Sequence, residues 1–386
     1  MKKNSSKRGN PKQEEQVWKG PLTIGLDLGD RTSRYCILDG DGEVVKEGSV
    51  GSTNAALRQT FGQMKKCRIA LEVGTHSPWV SRSLQAMGHE VIVANPRQLK
   101  LITQSSRKDD RVDAEMLARL ARVDAKLLRP IRHRGETAQM DLMAIRARAA
   151  LVEARTSLVN AARGFSKTSG ERLGACDADQ MGVEKASGLP KGLEEVLRPL
   201  LEQVEALTAA IKECDRKLEQ IAKDKYPETT LLRQVSGVGI LIALTFILTV
   251  EDKERFQHSR DVGCYVGLRP KRSDSGENQP QLRITKEGDS YLRKLLVQGA
   301  HHVMSERSPD TDLKRWGMRL AARGGKNAKK RAIVAVARKL GILLHRLWVT
   351  GEVYEPLRNS GKQSRKAAAW EISRGRWQRM PIAESG

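Results

Sequence analysis

The first third of the chain alternates short apolar runs with stretches of helical spacing. Three runs, LTIGLDLG, SRYCILDG and EVVKEGSV, have the composition of strands, and DGDG between the last two supplies a hairpin turn. Helical spacing occurs at 53–65, 78–87, 96–103 and 110–122, and the strand patterns CRIALEV and EVIVAN lie among these stretches. Three hairpin strands followed by alternating helices and strands predict an α/β domain with a mixed sheet over residues 21–130.

Two later stretches, 137–165 and 192–223, repeat apolar residues at three-to-four spacing among many charges. One stripe comprises Leu142, Ile145, Ala149 and Val152, and the other comprises Val196, Leu200, Val204, Leu207 and Ile211. Because a Gly- and Asp-containing segment, 166–190, separates them, they predict a long helical hairpin or coiled coil over 137–223. Such a hairpin could be a dimerisation arm or part of a bundle, and the pattern favours neither.

A second globular unit, mostly helical, is predicted for residues 226–350, and basic segments are expected at 1–20 and 351–386. Residues 310–386 hold 18 Lys or Arg against 6 Asp or Glu, together with Trp370 and Trp377. Such a tail is expected to order on nucleic acid, where Arg contacts phosphates and Trp stacks on bases. The basic run also contains Lys329, Lys330 and Arg331, for which a solvated helix face is the alternative.

The net charge of the chain indicates what kind of partner it binds. The 386 residues carry a formal net charge of +23, with a pI near 10.0. An excess of this size favours a polyanionic partner, since cations that neutralise phosphates release condensed counterions. A merely basic protein or one that binds acidic lipid is the alternative.

Cysteine usage and hydropathy bear on the compartment. Five scattered cysteines without a CxxC pair argue against a zinc site or a disulfide framework and fit a reducing cytosol. The polar N-terminus lacks the apolar core of a signal peptide, and the longest apolar run, 237–250, is too short to span a bilayer. We therefore expect a soluble, cytoplasmic, nucleic-acid-associated protein without a membrane partner.

Four acidic residues occupy positions where a charged carboxylate is expected to destabilise the fold, either within apolar strand patterns or next to another acid on a helix. Asp27 lies within the apolar pattern TIGLDLGD and Glu72 ends CRIALE, so parallel strands would bring both acids to one edge of the sheet. Asp110 and Asp113 are three residues apart, on one face of a helix, whereas Asp109 and Glu115 point elsewhere. Four carboxylates from two strands and a helix suit Mg²⁺ or Mn²⁺. Taken singly, each acid has a purely structural alternative; Asp27, for example, could be an aspartate in the turn at the end of a strand.

Two motifs in the C-terminal half also carry candidate chemistry. Gly237 and Gly239 would let backbone N–H groups approach a phosphate at a helix N-terminus, although such a turn also serves plain helix packing. The segment 269–286 reads as an exposed loop in which Gly276 leaves room around the Ser275 hydroxyl. Four cations surround that serine and could stabilise negative charge during attack on phosphorus: Lys271, Arg272, Arg283 and Lys286.

These motifs together resemble a known family. GLDLGD, LEVGT and KDDRVDA are similar to the N-terminal domain of the DEDD transposases of the insertion-sequence 110 family, which has a RuvC-like, ribonuclease H-like sheet. GLRP, SG and ITKEGDSYLRKLLVQGA resemble the C-terminal transposase domain of the same family, in its 1111 group. The resemblance covers about residues 21–125 and 226–350. The family usually has Thr where this chain has Asp109, a departure that leaves the acidic pair intact.

The resemblance implies a mechanism and partners. Asp27, Glu72, Asp110 and Asp113 would hold Mg²⁺ at a scissile phosphate, and Ser275, rather than nearby Ser273, would attack it to form a phosphoserine linkage. The freed 3′-hydroxyl would then rejoin another strand of donor or target DNA without a nucleotide cofactor. Family members resemble recombinases guided by a bridge RNA and act as dimers or tetramers, with the helical hairpin as the natural contact.

Three other functions remain open on the residues. A RuvC-like junction nuclease that uses metal-activated water explains the acids but not the Ser275 loop. An actin-like ATPase is suggested by TIGLDLGDRTS, but the sequence offers neither a second phosphate loop nor an adenosine-binding glycine-rich segment. A non-catalytic RNA-binding protein is compatible with the basic tail.

Overall fold

The computed structural model describes residues 20–95, 110–273, 275, 280 and 282–359. The chain divides into two compact units, Met1–Arg134 and Gly135–Gly386. The helical stretch predicted at 96–103 and most of both basic tails lie outside the described residues. The nine described residues of the C-terminal tail, 351–359, form coil and a turn.

The N-terminal unit is built on a five-stranded mixed sheet, which confirms the predicted α/β domain. Its strands, in the order β3-β2-β1-β4-β5, are β1 (Thr23–Asp27), β2 (Thr32–Leu38), β3 (Val44–Gly51), β4 (Arg68–Glu72) and β5 (Glu90–Ala94). The first three strands pair antiparallel, whereas β1, β4 and β5 run parallel. Its helices are α1 (Asn54–Phe61), α2 (Ser77–Ala86) and α3 (Asp110–Val123).

Side chains alternate across this sheet and bury both of its faces. Ile24 and Leu26 of β1 pack with α1 and α2 in one cluster. The opposite face packs against α3, for example through Ala70 of β4 and Leu117 of α3. A strand buried on both faces needs a nearly continuous apolar sequence, which the runs of β1 and β4 supply.

Gly25 in the middle of β1 determines how closely α3 approaches the sheet. A Cβ atom at this position would lie 1.8 Å from the carbonyl oxygen of Ala114 and 2.6 Å from the backbone nitrogen of Ala118. Because backbone cannot yield as a flexible side chain does, only glycine allows this contact. The contact places the first turn of α3, one turn before Ala114, beside the end of β1.

The C-terminal unit is helical. Its elements are α4 (Glu136–Thr168), α5 (Lys191–Lys225), α6 (Thr229–Leu232), α7 (Ile240–Val250), α8 (Val262–Tyr265), α9 (Ser290–Val303), α10 (Asp312–Ala321) and α11 (Ala328–Thr350). Nine consecutive residues of α7, Ile242 to Val250, are buried. Leu244 and Leu248 of this helix pack against α4 and α5, while Phe246 and Ile247 belong to the cluster that includes α9 and α11. No helix in the described ranges is both long and apolar enough to cross a membrane.

The two longest helices, α4 and α5, form an antiparallel hairpin. Arg148 donates two hydrogen bonds to Asp215 at 2.8 and 3.1 Å, and Arg155 donates to the Thr208 hydroxyl at 3.2 Å. The buried stripe of α5 differs from the predicted one, because Val196 is 57% exposed. The stripe instead comprises Leu197, Leu201, Val204, Thr208 and Ile211. Thr208 could not be recognised from hydropathy because it is polar, and its hydroxyl is satisfied by Arg155 and by the Val204 carbonyl.

Gly25→Ala is expected to destabilise the N-terminal unit strongly, because the new methyl group overlaps the backbone of α3. Overpacking of this kind costs about 3 kcal/mol, which thermal or urea unfolding will detect. Gly51→Ala in β3 is the matched control, since its Cβ would meet only the Ala56 methyl at 3.4 Å. Equal stability of the two variants would show that α3 does not depend on the glycine.

Candidate functional site

Asp27 and Glu72 are neighbours at one edge of the sheet. Leu26 of β1 is paired with Leu71 of β4 in parallel register, so the two acids stand side by side one residue further on. Each acid is the last residue of its strand and is partly buried, and the three residues before it are buried. The sequence therefore delivers two carboxylates to the carboxyl ends of adjacent parallel strands, as predicted from the apolar runs.

The first turn of α3 adds Asp110 and Asp113. The pKa of Asp27 is raised to about 6, chiefly by burial and then by the charges of Asp110 and Asp113, against a hydrogen bond from the Leu28 backbone that lowers it. Burial also raises the pKa of Glu72, with added repulsion from Asp27 and Asp113. The four predicted acids thus share one electrostatic environment. Asp110 is exposed and Asp113 is half-buried.

The donor set fits a hard divalent cation. Oε1 of Glu72 is buried and forms no hydrogen bond with the described residues, a costly state for a carboxylate oxygen. Carboxylate oxygens are the ligands that Mg²⁺ and Mn²⁺ prefer. Across the described ranges, no three acidic, His or Cys side chains are arranged tightly enough to hold an ion as they stand. Since the four charges repel one another, closing around a cation requires side-chain rotation at this edge.

Glu115, a further acid of α3, behaves differently from these four. Glu115 accepts a hydrogen bond from Arg119 at 2.7 Å, four residues along α3, so its charge is used on the helix surface. Asp109, expected to be solvated, lies outside the described residues. Glu115 is accordingly a suitable control for the acids of the cluster.

Ser275 is exposed on the segment between α8 and α9, as expected from the sequence. The base of this segment is more regular than the predicted loop, because Pro270 and Ile284 form an antiparallel bridge. Lys271 N–H donates to the Arg283 carbonyl at 2.9 Å, which extends the bridge towards the serine. Local backbone pairing of this kind cannot be recognised from a polar, turn-rich sequence.

Two glycines fix the foot of the Ser275 segment. Gly267 has φ +67°, and a Cβ there would lie 2.4 Å from the Glu287 nitrogen. Gly288 has φ +66°, and a Cβ there would lie 2.0 Å from the Tyr265 carbonyl oxygen. These close approaches fix the backbone at the foot, and the predicted cations of the segment are all exposed: Lys271, Arg272, Arg283 and Lys286.

Gly237 and Gly239 play different structural roles. Gly237 has φ +83°, and a Cβ there would lie 2.8 Å from the Gly299 carbonyl oxygen, so it serves close packing against α9. Gly239 precedes α7 in extended conformation, with open space around it. Both line a cavity of about 460 Å³ that also includes Arg233, Gln298 and His302. Sequence reasoning missed these three, because they come from separate segments.

Lys329, Lys330 and Arg331 are exposed in the first turn of α11. Three cations here oppose the positive end of the helix dipole, an arrangement that weakens a helix unless anions are nearby. This turn follows Gly325 and Asn327, which have φ +84° and +63°.

Comparison with known proteins finds transposase family models that match both the N-terminal and the C-terminal half of the chain. A family model described as "Transposase", for the DEDD domain of the IS110 group, matches residues 24–166, and one described as "Transposase IS116/IS110/IS902 family" matches 229–315. The chain is 29% identical over 359 residues to "Transposase for insertion sequence element IS1111A" of Coxiella burnetii, covering 89% of this chain and 94% of that protein. It is 27% identical over 341 residues to "Probable family 20 transposase" of Pseudomonas aeruginosa, covering 86% and 98% respectively.

Asp27→Asn is expected to raise the thermal midpoint of the cation-free protein at neutral pH. The pKa of Asp27 in the folded protein is about 6, above its ordinary value of 3.8. The protonated carboxyl therefore stabilises the folded state at low pH, and this contribution is lost as the pH rises from 3.8 through about 6. The wild-type midpoint should fall over this window, and Mg²⁺ should restore it, less so at the acidic end where protons compete.

The same substitution should remove most of the stabilisation by Mg²⁺, whereas Glu115→Gln on α3 should keep it. Thermal melts of the three proteins, with and without Mg²⁺ across this pH window, provide the measurement. An equal Mg²⁺ effect in wild type and Asp27→Asn would contradict a cation site at these acids.

Proposed function

The chain belongs to the IS110 family of insertion-sequence transposases, and we propose that it cuts and rejoins DNA strands with a carboxylate-bound metal and a serine nucleophile. The observation that carries the proposal is the unbonded, buried Oε1 of Glu72 beside Asp27, whose pKa is raised to about 6. A buried carboxylate oxygen without a hydrogen bond, next to a second carboxylate of raised pKa, is best explained by a bound cation.

The N-terminal unit supports a ribonuclease H-like, RuvC-like fold. Three antiparallel strands continue into two parallel ones, and the sheet is covered by α1 and α2 on one face and by α3 on the other. On this fold the acids stand on the central strands and on the helix that crosses them. The backbone thus brings the four acids to one edge of the sheet, where side-chain rotation would let them close around a cation.

Asp27, Glu72, Asp110 and Asp113 would hold Mg²⁺ or Mn²⁺, and no nucleotide cofactor is proposed. A divalent ion bound there supplies Lewis-acid stabilisation of charge on the phosphate. The protein's own part is to hold Asp27 and Glu72 close together at the edge of the sheet despite their burial and mutual repulsion. Gly25 contributes by holding the acidic turn of α3 against β1.

Ser275 is the proposed nucleophile. Its hydroxyl oxygen forms a bond to phosphorus while the bond to the 3′-oxygen of the DNA strand breaks, and the proton lost by the serine is balanced by one gained at the leaving oxygen. The exposed cations nearby, such as Lys271 and Arg283, stabilise the charge that develops on the phosphate. Ser275 is exposed, so its hydroxyl is accessible to DNA.

Assembly and a guide RNA complete the proposal. Phe165 and Val196 are 49% and 57% exposed at the far end of the α4–α5 hairpin, which supports its use as a contact between subunits in a dimer or tetramer. The basic residues at 329–331 and around the 237–239 turn are candidates for contacts with DNA or with a bridge RNA.

A suicide DNA substrate, nicked so that rejoining fails, is expected to leave a covalent protein–DNA band on a denaturing gel. The band should require Mg²⁺, disappear in Ser275→Ala and persist in Ser273→Ala, because only the former removes the attacking oxygen. Cleavage without any adduct would instead favour the second candidate function, a nuclease that uses metal-activated water. An adduct that maps to Ser273 would refute the assignment of the serine.

Replacing Lys329, Lys330 and Arg331 together by alanine should flatten the salt dependence of nucleic-acid binding. Each lost phosphate contact lowers the slope of log affinity against log salt by roughly 0.9, so the triple variant should lose roughly 2 to 3 units. Anisotropy titrations with duplex DNA, and with RNA that co-purifies with the chain, provide the measurement. Alanine at Lys212 and Lys223, exposed on α5, is the control, and a slope lowered equally by both sets would make the effect non-specific.

A further inference from the structure

A chain of hydrogen bonds links Trp79, His76 and Asp30. The indole N–H of Trp79 donates to Nδ1 of His76 at 3.1 Å, and Nε2 of His76 lies 3.4 Å from Oδ1 of Asp30. An indole nitrogen can only donate, so Nδ1 is the acceptor and the proton of the neutral imidazole is on Nε2. Trp79 therefore selects one tautomer of His76 and leaves Nε2–H as a donor on the outer side of the ring.

This donor stands at the edge of the sheet that carries the acids. Asp30 lies in the turn that leaves β1 after Asp27, and His76 lies in the turn that leaves β4 after Glu72. The contact between them joins the two turns across the register of β1 and β4. His76 immediately precedes the first residue of α2 but forms no side-chain hydrogen bond to the start of that helix, so its imidazole is not used as an N-terminal cap.

Both turns are held firmly. In the β4 turn, Gly74 N–H donates to the Ser77 hydroxyl at 2.9 Å, and that hydroxyl donates to the Gly74 carbonyl at 2.8 Å. In the β1 turn, the Ser52 hydroxyl donates to the Gly29 carbonyl at 2.8 Å. The imidazole stands edge-on to the Trp79 ring, with centroids 6.1 Å apart at 87°. The direction of the Nε2–H group is thereby fixed before any ligand arrives.

We propose that His76 binds a phosphate oxygen of the DNA strand held at the four acids, through Nε2–H, and that Trp79 is its positioning residue. The proposal rests on the proposed function, because it needs DNA at this edge. A phosphate approaching four carboxylates is repelled by them, and a neutral N–H donor beside them offers attraction without adding a competing cation for the acids.

Asp30 occupies the donor in the free protein and is easily displaced. Its side chain is 92% exposed, while that of His76 is 29% exposed, and the separation of 3.4 Å is long for a hydrogen bond. A phosphate oxygen at a normal distance makes a stronger bond with the same N–H group. Asp30 thus keeps the donor satisfied until DNA takes its place.

The central test is a double-mutant cycle on the full-length protein in Mg²⁺. His76→Ala should lower the kcat/KM of strand cleavage by about 10- to 100-fold, the loss expected for one hydrogen bond to a charged group, with most of the loss appearing as weaker DNA binding because the contact is already made in the bound complex. Trp79→Phe should cause a smaller loss. The double variant should be no slower than His76→Ala, because Trp79 acts only through the histidine. Additive losses would overturn the positioning role, and full activity of His76→Ala would overturn the proposal.

Two further variants separate substrate contact from structure. Asp30→Ala should keep cleavage within about threefold of wild type, since phosphate replaces the carboxylate as acceptor; a loss as large as that in His76→Ala would show that the internal pair itself matters, and the proposal would be wrong. His301→Ala, at an exposed histidine of α9, is the control for loss of an imidazole. Thermal midpoints of all variants check that each is folded.

The imidazole nitrogens give a readout that does not depend on cleavage. In ¹⁵N spectra, His76 should show a protonated Nε2 in the free protein, should move towards a tautomer mixture in Trp79→Phe, and should shift its Nε2–H signal when DNA is added to inactive Asp27→Asn. No shift on adding DNA would overturn the proposal. Full cleavage by both Asp27→Asn and Ser275→Ala would instead overturn the proposed function.

Discussion

Repulsion among carboxylates at the edge of a buried sheet is the constraint on which the N-terminal unit depends. Burial is the main cause that raises the pKa of Asp27 and Glu72, and the acidic turn of α3 contributes to the rise at both. Such a cluster opposes folding at neutral pH, so the surrounding structure has to hold it. It does so through fully buried strands below the acids and through direct backbone contact between β1 and α3 at Gly25.

Much of this arrangement can be predicted from the sequence, because it rests on local patterns. Apolar runs that end in Asp27 and Glu72 give both the strands and the position of the acids, and the spacing of Asp110 and Asp113 gives their common face. The strand order depends on long-range pairing that no run of residues encodes by itself. Gly25 carried a signal, since glycine inside an apolar strand suggests close approach of another backbone, but the sequence could not identify α3 as the partner.

Polar residues in buried positions are the main source of error. Thr208 lies in the buried stripe of α5, where hydropathy favours Leu207, because Arg155 on α4 provides it with a hydrogen-bond partner. Trp79 and His76 also gave no signal, since a short polar turn before a helix is common. In each case the structural role of a residue depends on a partner distant in sequence or on the direction of its side chain. Hydrophobic periodicity predicts neither of these.

The apolar character of α7 has a consequence for how the chain is made. Its buried residues pack on α4 and α5, which precede it, and on α9 and α11, which follow it. During synthesis α7 leaves the ribosome well before α11, so one side of it finds the hairpin while the other has no partner. Until Val336 and Leu340 of α11 have been synthesised, one side of α7 remains an exposed apolar surface that favours aggregation with other nascent chains. The order of the helices along the chain therefore leaves this apolar side uncovered until α11 has been made.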